Sequence, residues 1–216
     1  MVCSTLLKKK KRKILLILEL LRNFSLLMAE ATDFLAANLK NYQLDELENE
    51  LNEMKKIEVV ANDKKQATLD FLYQDFLPPI ERPDILEITQ ALNTLLGTVS
   101  SDILARLDRY QVKTIEPDVF VLVEVLKQGS DKTLALTKEL IHFKHPEKLL
   151  ALMKDINSLV RRGYALHHQA IKKMMHNEND AIVVFSYSNI YEGFNRSWHA
   201  LERLTRAVEA MIIQNT

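Results

Sequence analysis

Residues 57–85, IEVVANDKKQATLDFLYQDFLPPIERPDI, decide the fold. Residues 57–76 continue a helical pattern that starts near Leu44. Pro78 and Pro79 stop it, because proline has no N–H to donate and its ring clashes with the preceding turn. Pro83 is then tolerated in the first turn of a new helix. A helix, a hard stop and a second helix so close by read as two antiparallel neighbours.

The same period of 3.6 extends outward in both directions. A first helix is expected over 13–39, with Ile17, Leu20, Phe24, Leu27, Ala31 and Phe34 on one face. The second, over 44–76, carries the heptad-like seam Leu44, Leu47, Leu51 and Met54. A third runs from Arg82 to about Tyr110, a fourth from Pro117 to before His145, and a fifth from Pro146 to about His176. After the loop HNEND, a sixth reaches almost to the end through Tyr187, Tyr191, Phe194 and Trp198. Only VFVLVEV at 119–125 is locally ambiguous with a strand. Helices of this length cannot hide their apolar stripes alone. The expected architecture is all-α: one domain over 1–216, an elongated six-helix antiparallel bundle.

Composition agrees. The chain is 47% hydrophobic and 27% charged, with only Gly 4 and Pro 5, which suits a helical globular protein with a real core. Lys+Arg and Asp+Glu balance at 29 each, so no global charge points to nucleic acid. The single Cys3 forms no intramolecular disulfide, which fits a reducing cytosol. Lys8, Lys9, Lys10, Lys11, Arg12 and Lys13 precede ILLIL, a pattern like a signal peptide's first two regions. Glu19 and Arg22 interrupt the apolar stretch and no small-residue cleavage site follows, so it reads as an amphipathic helix.

The 57–85 stretch also resembles the signature of PhoU-like proteins, in the branch that accompanies Pit-type phosphate transporters. That pattern is close to I-E-x-E-A-D, a helical spacer, then L-x-x-x-F-x-x-P-I-D-R-E-D-I. Ile57, Glu58, Ala61, Leu72, Phe76, Pro79, Ile80, Arg82, Asp84 and Ile85 match in register. Among the departures, Asn62 replaces an acid, and Glu81 stands where the family has aspartate. The resemblance covers about 24–213. It implies two pseudo-repeated three-helix bundles, placed at about 13–112 and 115–214. An offset of 102 lays Ala61 over Gly163, Leu92 over Phe194, Asn93 over Asn195 and Leu96 over Trp198.

The resemblance further implies acid-x-x-x-acid motifs for metal. Carboxylates at i and i+4 share a helix face, so pairs from adjacent helices can converge on a cation. The corresponding positions here are Glu58 and Asn62, Asn93 and Gly97, Val160 and Tyr164, Asn195 and His199. Only Glu58 among them is acidic. Too few carboxylates remain to offset several ions. The expectation is no cofactor, or at most a single residual divalent ion on Glu58, Asn62 and Asn93, or on Asn195 and His199 with Glu202. Glu58 and the asparagines also suit plain polar pairing between helices, and Gly97, Gly163 and Gly193 suit close helix approach.

No P-loop, G-x-S-x-G or dinucleotide fingerprint is present, so an enzyme is not expected. The resemblance implies a cytoplasmic regulator of inorganic phosphate transport that binds a Pit-type transporter at its cytosolic face. Arg82 and the basic run Lys8–Lys13 are the candidate contacts, and the run could also hold the chain peripherally at the membrane's inner face. Two other readings stay open. One is a ferritin-like carboxylate bundle, on the strength of Glu139-x-x-His142, although no second E-x-x-H accompanies it. The other is a helical scaffold unconnected with phosphate. A Met- and aromatic-rich last helix makes a homo-oligomer a further expectation.

Overall fold

The structure, a computed structural model, describes residues 2–74 and 80–215, with side chains over 12–73 and 80–215. The double proline, Phe76, and the side chains of Cys3, Lys8, Lys9, Lys10 and Lys11 lie outside the described residues. Helix α1 spans Val2–Lys40, α2 Leu47–Gln74 and α3 Arg82–Gly97. A π-helical segment, Thr98–Leu104, carries α3 directly into a short α4, Ala105–Arg109. Then come α5 (Pro117–Glu139), α6 (Glu147–Asn177) and α7 (Ala181–Asn215). Since α3, the π segment and α4 form one rod, the bundle has six rods, and the described residues contain no strand.

Local chemistry sets the ends. Pro83 and Pro117 occupy the first turns of α3 and α5, where no helical N–H partner is needed. Asp180 caps α7, its carboxylate accepting the N–H of Ile182 at 2.8 Å and of Val183 at 3.4 Å. The turn after α4 places Gln111 at φ 49. Two tyrosines tie down the segment that follows. Tyr42 donates to the Val112 carbonyl at 2.5 Å, and Tyr187 donates to the Thr114 carbonyl.

In α1 the deepest apolar residues are Ile17, Leu21, Phe24, Met28, Ala31 and Leu35, an alternation of four and three. Leu20, Leu27 and Phe34, expected on this stripe, sit half-buried on its flank. The helix is covered from three sides, by α2, α3 and α5, so its buried face is wider than one stripe. The ambiguous 119–125 segment is helical, and leaves Phe120 and Val121 exposed. It packs against α1 and α6 and has no strand to pair with.

Three helices of each half pack together, α1–α2–α3 and α5–α6–α7, and the halves meet where α1 lies on α5 and α3 on α7. Both seams carry buried hydroxyl pairs. Ser25 meets Thr137 at 2.5 Å and Thr32 meets Ser130 at 2.9 Å across α1–α5. The α3–α7 seam has Thr98 against Ser197 at 2.7 Å. Each hydroxyl also has a backbone or sulfur partner nearby, so few polar atoms are stranded in an apolar seam.

Two expectations need correction. The first helix begins at Val2 and runs unbroken through the basic run, rather than from Lys13. The third is not uniform, because the π segment adds a wide turn opposite Gly193. On the last helix Tyr187, Tyr191, Phe194 and Trp198 are buried within the fold, while Phe185 is 60% exposed.

Candidate functional site

The sequence-derived positions lie on α2, α3, α6 and α7. On α2, Glu58 is half-buried and accepts a hydrogen bond from Ser100, which the π segment turns toward it. Asn62, one turn on, is exposed. Asn93 is half-buried on α3. Neither asparagine has a hydrogen-bond partner among the described residues, so Glu58 is engaged by Ser100 and not by either of them.

The second half differs. Tyr164 on α6 and His199 on α7 meet directly, Oη to Nδ1 at 2.8 Å. The two rings pack edge to face at 5.2 Å. Tyr164 lies 3.4 Å from Glu202, which pairs with Arg206 at 3.6 Å. Burial, and then the Glu202 charge, push the Tyr164 phenol up to about 12. It therefore stays protonated at neutral pH, a donor and not a phenolate. Asn195 is turned away, donating to Glu192 on its own helix at 3.2 Å. Val160 is buried and apolar. Along this side of α6 and α7 runs an open groove of about 480 Å³, lined by Asn157, Arg161, Tyr164, Glu202 and Arg206 among others.

These donors do not suit a multinuclear metal centre. Glu58 is the one carboxylate at the eight positions, and Ser100 already bonds to it. At the second set, one residue is a valine, and a tyrosine and a histidine satisfy each other. Among the described residues no three His, Cys, Asp or Glu side chains gather closely enough to hold an ion. Glu139 and His142 do pair, at 2.9 Å, but the other Glu139 oxygen is taken by Lys148 at 2.6 Å. That cluster joins α5 to α6 near the surface.

Reading by type and spacing missed Ser100, because a serine in TVSSDIL looks like helix surface. A signal was available: Ser100 follows Asn93 by two turns and shares its face. It also missed Asp102, which sits between Arg106 at 2.9 Å and Arg196 at 3.1 Å. Arg106 reaches on to the Asn189 carbonyl.

Of the three glycines, Gly163 and Gly193 do serve close approach. A Cβ on Gly163 would lie 2.5 Å from the Trp198 ring, and one on Gly193 would lie 2.8 Å from the Asp102 carbonyl oxygen. Gly97 does not, since nothing lies within 4 Å of the corresponding point.

His167 on α6 has a buried Nε2 without a partner. Burial holds its pKa below the ordinary value, with Glu192 opposing the shift and His168 adding to it. An unfolded imidazole titrates near ~6.5. The stability this neutral ring contributes is therefore complete above about pH 6.5 and is lost as pH falls through the lower folded value. Thermal unfolding at a series of pH values should show wild type losing ground below about pH 6.5, with H167Q losing less. Parallel curves would mean that His167 is not buried as described.

No family model matches the chain. It is 22% identical over 208 residues to UPF0111 protein YkaA of Bacillus subtilis (strain 168), covering 96% of this chain and 98% of that one. A crystal structure of a PhoU-like protein from Shewanella oneidensis MR-1 superposes with a TM-score of 0.77 at 15% identity, over 91% of this chain and 99% of that chain. The six-rod bundle and this superposition agree: the chain has the fold of a PhoU-like protein.

Proposed function

We propose that the chain is a non-enzymatic regulator of inorganic phosphate transport that docks on the cytosolic face of a Pit-type transporter. The observation that carries this reading is the PhoU-like bundle with the P-I-E-R segment at its α2–α3 junction. Arg82 opens α3 there and is exposed. Binding would act by favouring one transporter conformation over another, since a partner shifts an equilibrium only by its differential affinity for the two states.

The scarcity of carboxylates makes this a metal-independent adaptor, so side chains such as Arg82 and the basic run supply its contacts. The ferritin-like reading has less support, because Glu139 is tied to Lys148 as well as to His142. A scaffold unconnected with phosphate predicts no effect on uptake.

The test is capture of a Pit-type transporter from detergent-solubilised membranes, alongside phosphate uptake in cells lacking the protein. Wild type should capture the transporter equally with and without a strong chelator. R82E should weaken capture by about tenfold, as expected for reversing a charge at an interface. Loss of capture in chelator would overturn the metal-free mechanism. Unchanged uptake in the deletion strain, under phosphate-rich and phosphate-poor growth alike, would sink the phosphate reading.

A further inference from the structure

We infer that the groove between α6 and α7 receives a helix of a partner protein, apolar along its middle and acidic along the flank that meets α6. Lys154, Asn157, Arg161 and Tyr164 stand along the α6 wall. Steps of three, four and three keep them on one side of the helix. Lys154 and Arg161 are exposed, and neither has a partner among the described residues. Seven residues separate them, so they lie about 10.5 Å apart along the axis and within about 20° of one line. Asn157 accepts the Thr205 hydroxyl at 2.9 Å through Oδ1, which leaves its Nδ2 hydrogens for an incoming acceptor.

Nothing on α6 offsets this charge. Residues 156–177 contain neither Asp nor Glu, and Asp155 is taken by Lys132 of α5 at 2.6 Å. The α7 wall is mixed. Glu202 is engaged by Tyr164 and Arg206, whereas Glu209 is exposed and without a partner among the described residues. Lys154 and Glu209 both line the groove, yet no described ion pair crosses it. Between the walls the surface is apolar: Met153 and Val160 are buried there, and Leu150 at one end is 47% exposed.

These features select the occupant. The α6 wall from Leu150 to Tyr164 is about 21 Å long, four turns of a helix laid alongside it. Two cations one heptad apart match carboxylates one heptad apart on such a helix. Leucine-type side chains on its middle would cover Leu150 and Met153, as in other helix-in-groove contacts. A nucleic acid would meet Lys154 and Arg161 but bring phosphates against Glu209 and leave the apolar strip unused. A flat bilayer reaches the helix ridges and not the space between them.

The test is fluorescence anisotropy of labelled peptides titrated with the full-length protein. Each peptide has three heptads, since shorter helices are marginal in water. One has leucine at a and d, glutamate at e and glutamine at g. The second has lysine at e, and the third has serine at a and d in the acidic background. The peptides contain no transporter sequence, so the outcome is independent of the phosphate-transport reading. The acidic leucine peptide should bind about tenfold or more tighter than either of the others. K154E/R161E should reverse the order of the acidic and basic leucine peptides at an unchanged unfolding temperature, because both side chains are exposed and unpaired. No binding of the acidic leucine peptide by folded protein would overturn the inference. So would equal binding of the acidic and basic peptides, or an order that the double variant leaves unchanged. Equal binding of the serine peptide, or its displacement by duplex DNA at equal ionic strength, would show a site for any polyanion and not for a helix. A wild-type dimer that K154E/R161E dissolves would make the occupant a second copy, and the inference would fall.

Discussion

G163A is expected to lower stability by about 1–3 kcal/mol, although alanine is the better helix former by about 1 kcal/mol. The new methyl would lie 2.5 Å from Cδ2 and Cε2 of Trp198 and 2.9 Å from Cε3. Those are ring atoms of a side chain with no solvent exposure. Trp198 is also stacked on Phe194, centroids 6.5 Å apart at 26°. The ring has nowhere to swing, so α6 must move away from α7 or the indole must leave its rotamer. The matched control is G97A. Open space lies around that glycine, so only the helix-propensity gain applies, and stability should rise by up to about 1 kcal/mol. Urea unfolding reads both, as midpoint shifts at constant slope. If G163A proved as stable as G97A, the α6–α7 contact would not be as described.

D102A should be the costlier substitution, at about 3–5 kcal/mol. The carboxylate pairs with Arg106 and Arg196. The Arg106 side chain is only 11% exposed, and without Asp102 it keeps the Asn189 carbonyl but loses its counter-charge. An uncompensated buried cation is what makes breaking such a pair expensive. The Glu87–Arg203 pair across α3 and α7 is the contrast, with both side chains more than 40% exposed. E87A should cost no more than about 1 kcal/mol. Replacing both buried partners with apolar residues, as in D102L/R106M, should recover most of the loss, because no charge is then stranded. A D102A protein within about 0.5 kcal/mol of wild type would mean that water already reaches Arg106.

Much of the architecture was legible because long helices obey simple rules. Apolar periodicity marks their lengths, and Pro83, Pro117 and the HNEND loop mark where they start and stop. Glu58 was legible as a polar group that pairs inside the bundle, but its partner was not. Ser100 reaches Glu58 from a π segment, and TVSSDIL carries no breaker to separate a wide turn from an ordinary one. The same limit hid the hydroxyl pairs, since lone serines and threonines within a helix look like surface until a second helix lies against them. Of the second-half motif positions, Tyr164 and His199 do come together. Gly97 was misread because helix spacing alone cannot distinguish a crowded glycine from one in open space.

The hydroxyl pairs on the α1–α5 seam have a mechanical meaning. Ser25 and Thr32 are one heptad apart, and so are Ser130 and Thr137. Slide α1 by one heptad, roughly 10 Å at the helical rise, and Thr32 can meet Thr137 while Ser25 and Ser130 lose their partners. Ser25 keeps the Arg22 carbonyl on its own helix, but Ser130 loses Met28 as well as Thr32, and a hydroxyl so stranded costs about 1–3 kcal/mol in a buried seam. Intermediate shifts engage neither tooth. The seam therefore behaves as a detent with one deep notch, and α1 as a gauge rod clamped in it. The register of α1 against α5 is thus marked by two small oxygen contacts that carry no charge.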